Sequence, residues 1–267
     1  MKSGFMTYKT IVYTQSDHIA HLTLNRPEVD NVINWQLAQE MAEVCCNINQ
    51  DDNIYVVVIT GAGSKAFCGG GELPGLVQGG STVSSLHPST LAGTKAVTSV
   101  ASIDRPVIAA INGDALGVGL EIALSCDISL ASQQARFGFP EIASGLIPMC
   151  GGTQRLPRIV GKAKALELIL TAETINAEEA LELGLVSQVV TQQSLASEAE
   201  TLAKNIASKA PVALRYIKNA VTKGLDLTLE QGLRLEADLY FLLHTTADRT
   251  EGIKAFLEKR PPRFKGQ

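Results

Sequence analysis

The stretch Pro106 to Cys126, PVIAAINGDALGVGLEIALSC, constrains the fold of this chain more than any other. Val107 to Ile111 is short, apolar and rich in β-branched residues, as a strand buried on both faces should be. Asn112, Gly113 and Asp114 break the run with turn chemistry. Gly117 and Gly119 follow, and Leu120, Ile122, Ala123 and Leu124 begin a buried helix. The glycines let backbone come close to something, and a helix N-terminus points free N–H groups at it. Inside that apolar helix sits one carboxylate, Glu121. A buried carboxylate is costly unless it is paired or used with a raised pKa. The stretch by itself allows both a structural pairing with an Arg or Lys and a chemical role.

Composition narrows the class. The 267 residues can bury one sizeable core, or a large domain and a small one. With 45% hydrophobic and 19% charged residues the chain is globular. A net charge of −4 without a basic face or run argues against nucleic acid, although a few local cations could still hold an anionic ligand. The five cysteines (Cys45, Cys46, Cys68, Cys126, Cys150) are odd in number and lack metal-ligand spacing, so free thiols and no metal site are expected. MKSGFMTYKT has no apolar core of a signal peptide, and Asn112, Asp114 and Glu121 interrupt the only stretch that approaches a membrane span. A soluble protein of the reducing cytoplasm is expected.

Taken in order, Tyr8–Gln15 and His18–Leu24 alternate as two strands of a hairpin. Asn34 is placed to cap a helix over Trp35–Asn49, with Leu37, Met41, Val44, Cys45 and Ile48 on one face. Ile54–Thr60 is a central strand, followed by Lys65-Ala66-Phe67-Cys68-Gly69-Gly70-Gly71-Glu72. Three glycines after a buried strand suit close ligand approach or a plain flexible loop. A Gly/Ser/Thr-rich segment precedes a helix over Leu91–Ile103. Further strands are expected at Asp127–Ala131, Ala135–Phe139 and Val186–Val190. Helices are expected from a Thr153 cap to Val160, over Lys164–Ala172, and behind an Asn176-x-x-Glu179 capping box. Beyond Gln193 the chain reads as helices near 194–209, 211–224, 228–244 and 247–259. The fold class is therefore α/β, with parallel strands and crossover helices over residues 1–192 and a helical region over 193–267. Neither a GxxxxGK[ST] loop nor a GxGxxG opening the first helix is present.

Four segments together resemble the enoyl-CoA hydratase/isomerase (crotonase) superfamily: Leu24-Asn25-Arg26-Pro27, Lys65 to Glu72, Pro106 to Asp127, and Phe137 to Leu156 (FGFPEIASGLIPMCGGTQRL). Asp248 to Arg260 is similar to the family's C-terminal signature. The resemblance covers essentially the whole chain in register. It implies a spiral of ββα turns with two roughly perpendicular sheets, then a helical trimerisation region giving a homotrimer or a dimer of trimers. It also implies an acyl-CoA thioester whose oxygen is held by the backbone N–H groups of Gly71 and Val118. Glu121 and Glu141 fill the positions of the two glutamates that carry the water chemistry. One can activate water while the other, protonated, relays a proton, and a close pair in an apolar pocket splits its pKa values. Each oxyanion donor is worth roughly 3–4 kcal/mol.

The same resemblance assigns CoA contacts to Arg26, Lys65, Ala66, Gly69, Gly70, Glu72, Leu73, Phe256 and Lys259, and implies no cofactor beyond the CoA of the substrate. Three features depart from the family. Val118 and Met149 stand where hydratases usually have glycine, which makes the site bulkier and more apolar. Glu28 and Asp30 add two acids to the path of CoA. Cys68 and Cys150 fall near the site and read as small fillers with no base beside either thiol. His18, His21, His87 and His244 lie outside every motif. The reading is a 2-enoyl-CoA hydratase. The alternatives are a double-bond isomerase, for which one glutamate suffices, and an acyl-CoA-binding protein without catalysis, which retention of both glutamates disfavours.

Overall fold

Residues 8–72 and 88–267 are described by the computed structural model. Strands β1 (Ile11–Ser16) and β2 (Ile19–Leu24) form the expected antiparallel hairpin. Its two turn residues, Asp17 and His18, have φ of 48° and 67°, as a tight primed turn requires. β2 then pairs in parallel with β3 (Val56–Gly61), β3 with β5 (Val107–Ile111), β5 with β7 (Ile128–Ser132), and β7 with β10 (Gln188–Val190). This six-stranded sheet holds the apolar runs that the sequence marks as central. A second sheet runs β4 (Ala66–Cys68), β6 (Asp114–Leu116), β8 (Arg136–Gly138), β9 (Thr174–Asn176). The chain therefore lays one strand in each sheet and then a helix, three times over. The helices are α2 (Pro88–Ala101), α3 (Val118–Ala123) and α4 (Gly152–Thr171). This is the ββα spiral that the resemblance implies.

α1 (Trp35–Gln50) begins at Asn34, whose side chain accepts the Leu37 N–H at 2.8 Å. The predicted face of Leu37, Met41, Val44, Cys45 and Ile48 is buried and packs the helix against α2. Each such side chain contributes about 1.5–3 kcal/mol by leaving water. Arg105, 1% exposed, ties this layer to the sheet. Its guanidinium donates to the carbonyls of Asn49, Asp51 and Ile54 and pairs with Asp104, which satisfies the C-terminal end of α1.

Two local expectations are corrected. Asn112 to Asp114 is not simply a turn, because Asp114 already opens β6. The buried Asn112 side chain accepts the Gly61 N–H and donates to the Gly63 carbonyl, so the polar break clasps neighbouring strands together. Thr153 caps nothing. α4 starts at Gly152 behind Gly151, which is left-handed (φ 114°), and breaks at Gly161 (φ 79°) where termination is expected.

The Asn176–Glu179 capping box is present on α5 (Ala177–Glu182). The tail follows as α6 (Leu195–Ala207), α7 (Pro211–Gly224), α8 (Leu229–Leu243) and α9 (Ala247–Leu257). α6 lays Leu195, Ala199 and Ala203 on the second face of the large sheet, against Val56, Ile108 and Leu130. α7 is tied to the sheet by Lys218, which reaches Asp127 at 2.7 Å and the Arg105 carbonyl at 2.9 Å. The other faces of α7 and α8 leave Ile217, Val221, Leu225, Leu229, Leu233 and Phe241 exposed.

Candidate active site

The glycine-rich loop after β4 is clamped by the segment after β2. A 3-10 turn over Pro27–Val29 is followed by Asp30 and Asn31, both left-handed (φ 55°). The buried Asn31 side chain donates to the carbonyls of Ala62 and Ala66 and accepts the Arg26 N–H. Gly69 N–H donates to the Asp30 carbonyl, Ile33 N–H to that of Gly70, and Glu72 N–H to that of Ile33. These bonds orient Gly71 without using its N–H. Val118 is the first residue of α3, where an N–H has no partner within the helix. Among the described residues neither N–H has a protein acceptor. The two loops touch through Val118 Cγ2, which lies 3.4 Å from where a Cβ on Gly71 would stand.

Glu121 is 0% exposed. Its Oε1 accepts the N–H groups of Cys150 and Gly152, each at 2.7 Å, and its Oε2 is buried without a partner. No cation forms an ion pair with it among the described residues, although the charge of Arg155 acts on it from farther away. Burial raises its pKa and the two N–H donors oppose that shift. Glu141 sits in a 3-10 turn over Pro140–Ser144, and its Oε2 is also buried and unpartnered. Burial, with the charge of Glu121 as a further cause, raises its pKa to about 7. Glu141 Oε1 occupies the space that a side chain at Gly117 would need, and Gly117 has a φ of 51° that only glycine adopts readily.

Cys150 requires a correction. Its backbone N–H bonds the Glu121 carboxylate and its thiol lies 3.6 Å from Thr94 Oγ1, so the residue does stand beside a carboxylate. Burial pushes that thiol up to about 12, which keeps it protonated as a donor. Cys68 is the buried filler expected, also raised to about 12. Arg155 was not singled out from the sequence. It donates to the Cys150 carbonyl at 3.0 Å and so holds the turn that presents two N–H groups to Glu121. Met149 is 54% exposed, beside exposed Leu146 and Ile147.

Away from the glutamates, one of the two acids of the first loop, Asp30, has a partner. Lys65 Nζ pairs with Asp30 at 2.8 Å, and Arg26 pairs with Glu72 at 3.0 Å while donating to the Val32 carbonyl. Glu28 remains in the 3-10 turn. Leu73 and His87 lie outside the described residues. Phe256 is 82% exposed, and Lys259 has no ion pair among the described residues. His18 stacks on Tyr55 and His21 lies 3.4 Å from Glu200, as packing and surface residues do. Among the described residues, no group of three or more His, Cys, Asp or Glu could hold a metal ion, and no helix is long and apolar enough to cross a membrane.

A profile of the enoyl-CoA hydratase/isomerase family matches residues 14–267. The chain is 38% identical over 259 residues to a crotonyl-CoA hydratase of Syntrophomonas wolfei, covering 97% of this chain and 99% of that one. It is 40% identical over 251 residues to an (E)-benzylidenesuccinyl-CoA hydratase of Thauera aromatica, covering 94% and 97%. The crystal structure of an enoyl-CoA hydratase from Bacillus anthracis superposes with a TM-score of 0.92 at 39% identity, over 97% of this chain and 100% of that one.

Proposed function

The chain belongs to the enoyl-CoA hydratase/isomerase family, and on that premise we propose how its residues divide the hydration of a 2-enoyl-CoA. The activity is that of an enoyl-CoA hydratase, a hydro-lyase. One observation carries the division of labour. Two carboxylates each leave a buried, unpartnered oxygen beside two uncommitted backbone N–H groups, and Glu121 alone accepts N–H groups from a separate turn, those of Cys150 and Gly152.

The thioester oxygen accepts from Gly71 N–H and Val118 N–H, which stabilise the enolate-like charge that develops on it. Glu121, its carboxylate oriented by two N–H donors, takes a proton from the water that adds to C3. Glu141, raised to about 7, is protonated often enough at neutral pH to deliver a proton to C2. One C–O bond and one C–H bond form, the C2–C3 double bond is lost, and proton exchange with solvent resets both carboxyls. Nothing is oxidised or reduced, so the chemistry calls for no cofactor beyond the CoA of the substrate. A double-bond shift would leave the second glutamate without a task.

Arg26, Lys65 and Lys259 serve the CoA phosphates in this reading, the backbone of Ala66, Gly69, Gly70 and Glu72 lines the adenine side, and Phe256 packs there from a neighbouring copy. Residues 1–192 act as the acyl-CoA-binding core and 193–267 as the oligomerising region, whose first helix also covers the sheet. The exposed apolar rows Ile217–Val221–Leu225 and Leu229–Leu233 support a trimer or a dimer of trimers. Sedimentation at micromolar concentration should give a trimer mass or twice it, and a monomer would overturn that part. Free cysteines suit a reducing cytoplasm. The function itself is tested by following loss of conjugated-thioester absorbance with purified protein and crotonyl-CoA, then branched and cyclic 2-enoyl-CoAs. Formation of a 3-hydroxyacyl-CoA is expected, and no turnover of any of them would refute the reading.

A further inference from the structure

Val118 has a side chain as well as an N–H, and that side chain is wedged. A Cβ on Gly93 of α2 would lie 2.9 Å from Val118 Cγ2, 3.2 Å from its Cγ1 and 3.0 Å from Cys150 Sγ. All three are inside ordinary contact distance, so α2 admits Val118 and Cys150 together only because residue 93 has no side chain. On its other side Val118 Cγ2 borders Gly71, the second oxyanion donor.

Cys150 fixes the direction. Its N–H bonds Glu121 at 2.7 Å, so a methyl group sharing the Gly93 space with Cys150 lies on the Glu121 side of the donors. With the thioester oxygen on the two N–H groups and C3 facing the water held by Glu121, that side carries the reacting end of the acyl group, C2 next to the thioester carbon and C3 beyond it. The opposite side, where Gly69 abuts Asp30 and Val32, leads toward the loop with Arg26 and Lys65.

We propose that Val118, seated against Gly93 and Cys150, determines acyl specificity by filling the space beside C2, so that enoyl thioesters with hydrogen at C2 are accepted and 2-methyl-branched ones are excluded. This deepens the hydratase reading and rests on it. One methyl group in an apolar pocket is worth about 10–200-fold in discrimination, and an isopropyl group in place of hydrogen removes room for at least one.

The test measures kcat/KM for crotonyl-CoA and for its 2-methyl analogue, tiglyl-CoA, in the full-length protein. Val118→Gly keeps the N–H and should reduce the preference for crotonyl-CoA by about 10-fold or more. Gly93→Ala should press Val118 toward the thioester and lower turnover of crotonyl-CoA. Adding Val118→Ala to Gly93→Ala should restore it. Alanine within a helix is more favourable than glycine, so a loss of rate at unchanged melting temperature separates crowding from unfolding. A second arm measures by calorimetry the affinities of unreactive butyryl-CoA and 2-methylbutyryl-CoA. Val118→Gly should gain affinity for the branched thioester relative to the linear one. An unchanged ratio in both arms, or a Gly93→Ala protein as active as the wild type, overturns the proposal. A shifted affinity ratio in a protein that hydrates neither substrate would instead refute the hydratase reading and leave the pocket assignment standing.

Discussion

Glu121 and Glu141 are close enough for the charge of one to raise the pKa of the other, yet their surroundings are built in opposite ways. Glu121 rises from α3, fully buried, and its carboxylate is anchored by two N–H groups of a turn that Arg155 holds from behind. Glu141 stands on a short 3-10 turn followed by exposed Ile142, Leu146 and Ile147, and only a missing side chain at Gly117 makes room for it. Donated hydrogen bonds favour an ionised carboxyl, whereas burial next to a negative charge favours a neutral one. In the proposed mechanism two identical side chains take the roles of base and acid because of the backbone around them.

Removing each member of the pair tests that contrast. The largest effect should come from Glu121→Gln, which keeps the shape but abolishes the base, lowering kcat for crotonyl-CoA by about 10²–10⁴-fold. Hydration at the wild-type rate would show that this carboxylate is structural after all. Glu141→Gln should cost within the same range, and the double variant far less than the product of the two. The contrast is sharpest in pH. Wild-type kcat/KM should fall above about pH 7 as Glu141 loses its proton, and the residual activity of Glu141→Gln should lack that limb.

Stability should move the other way. The folded pKa of Glu141 lies above its ordinary 4.5, so the folded state holds this proton more tightly than the unfolded one. The stability this contributes is complete below pH 4.5 and is lost as pH rises toward 7. Glu141→Gln should therefore melt higher than wild type at pH 8 and no higher at pH 4, and a lower melting temperature at pH 8 would contradict the burial argument.

A smaller effect is expected from Gly117→Ala. A side chain there meets Glu141 Oε1 on a backbone that favours glycine, so urea unfolding should show a loss of about 1–3 kcal/mol, with kcat falling toward that of Glu141→Gln. Smallest should be Lys259→Ala and Lys65→Ala, each raising KM a few-fold with kcat nearly unchanged, because phosphate contacts are the same in ground and transition states. Lys65 should matter less than Lys259, since Asp30 already holds it in an exposed pair of little worth. A change confined to kcat in either variant would place that lysine in the chemistry.

The residues differ in how much of this they disclose. β3, β5 and β7 are apolar enough to announce buried parallel strands, and Asn34 and Asn176 announce their helices through cap chemistry. β4, β6 and β9 are three residues each, too short for an alternating pattern to develop, and so the second sheet is invisible without the resemblance. Glu121 is legible because a carboxylate in an apolar helix demands an explanation. Its anchors are not, because Cys150 and Gly152 serve it through backbone N–H groups that every residue but proline carries. Arg105 and Asn31 act on carbonyls distant in sequence, and nothing in their neighbours along the chain signals that. Asp30 looks out of place in the first loop until the fold puts Lys65 within 2.8 Å of it.

The crossing of β4 over α3 carries a consequence for how such an enzyme can diversify. At Gly119 the helix backbone lies directly against the Cys68 carbonyl, and at Gly113 the chain lies directly against that of Lys65, with no side chain between them. The separation of the Gly71 and Val118 N–H groups is thus gauged largely by main chain. Side chains around it can be exchanged while these backbone contacts are kept. Relatives whose names carry a crotonyl and a benzylidenesuccinyl group are about equally similar to this chain. A gauge of that kind lets the reaction be inherited intact while the choice of acyl group is rewritten one side chain at a time.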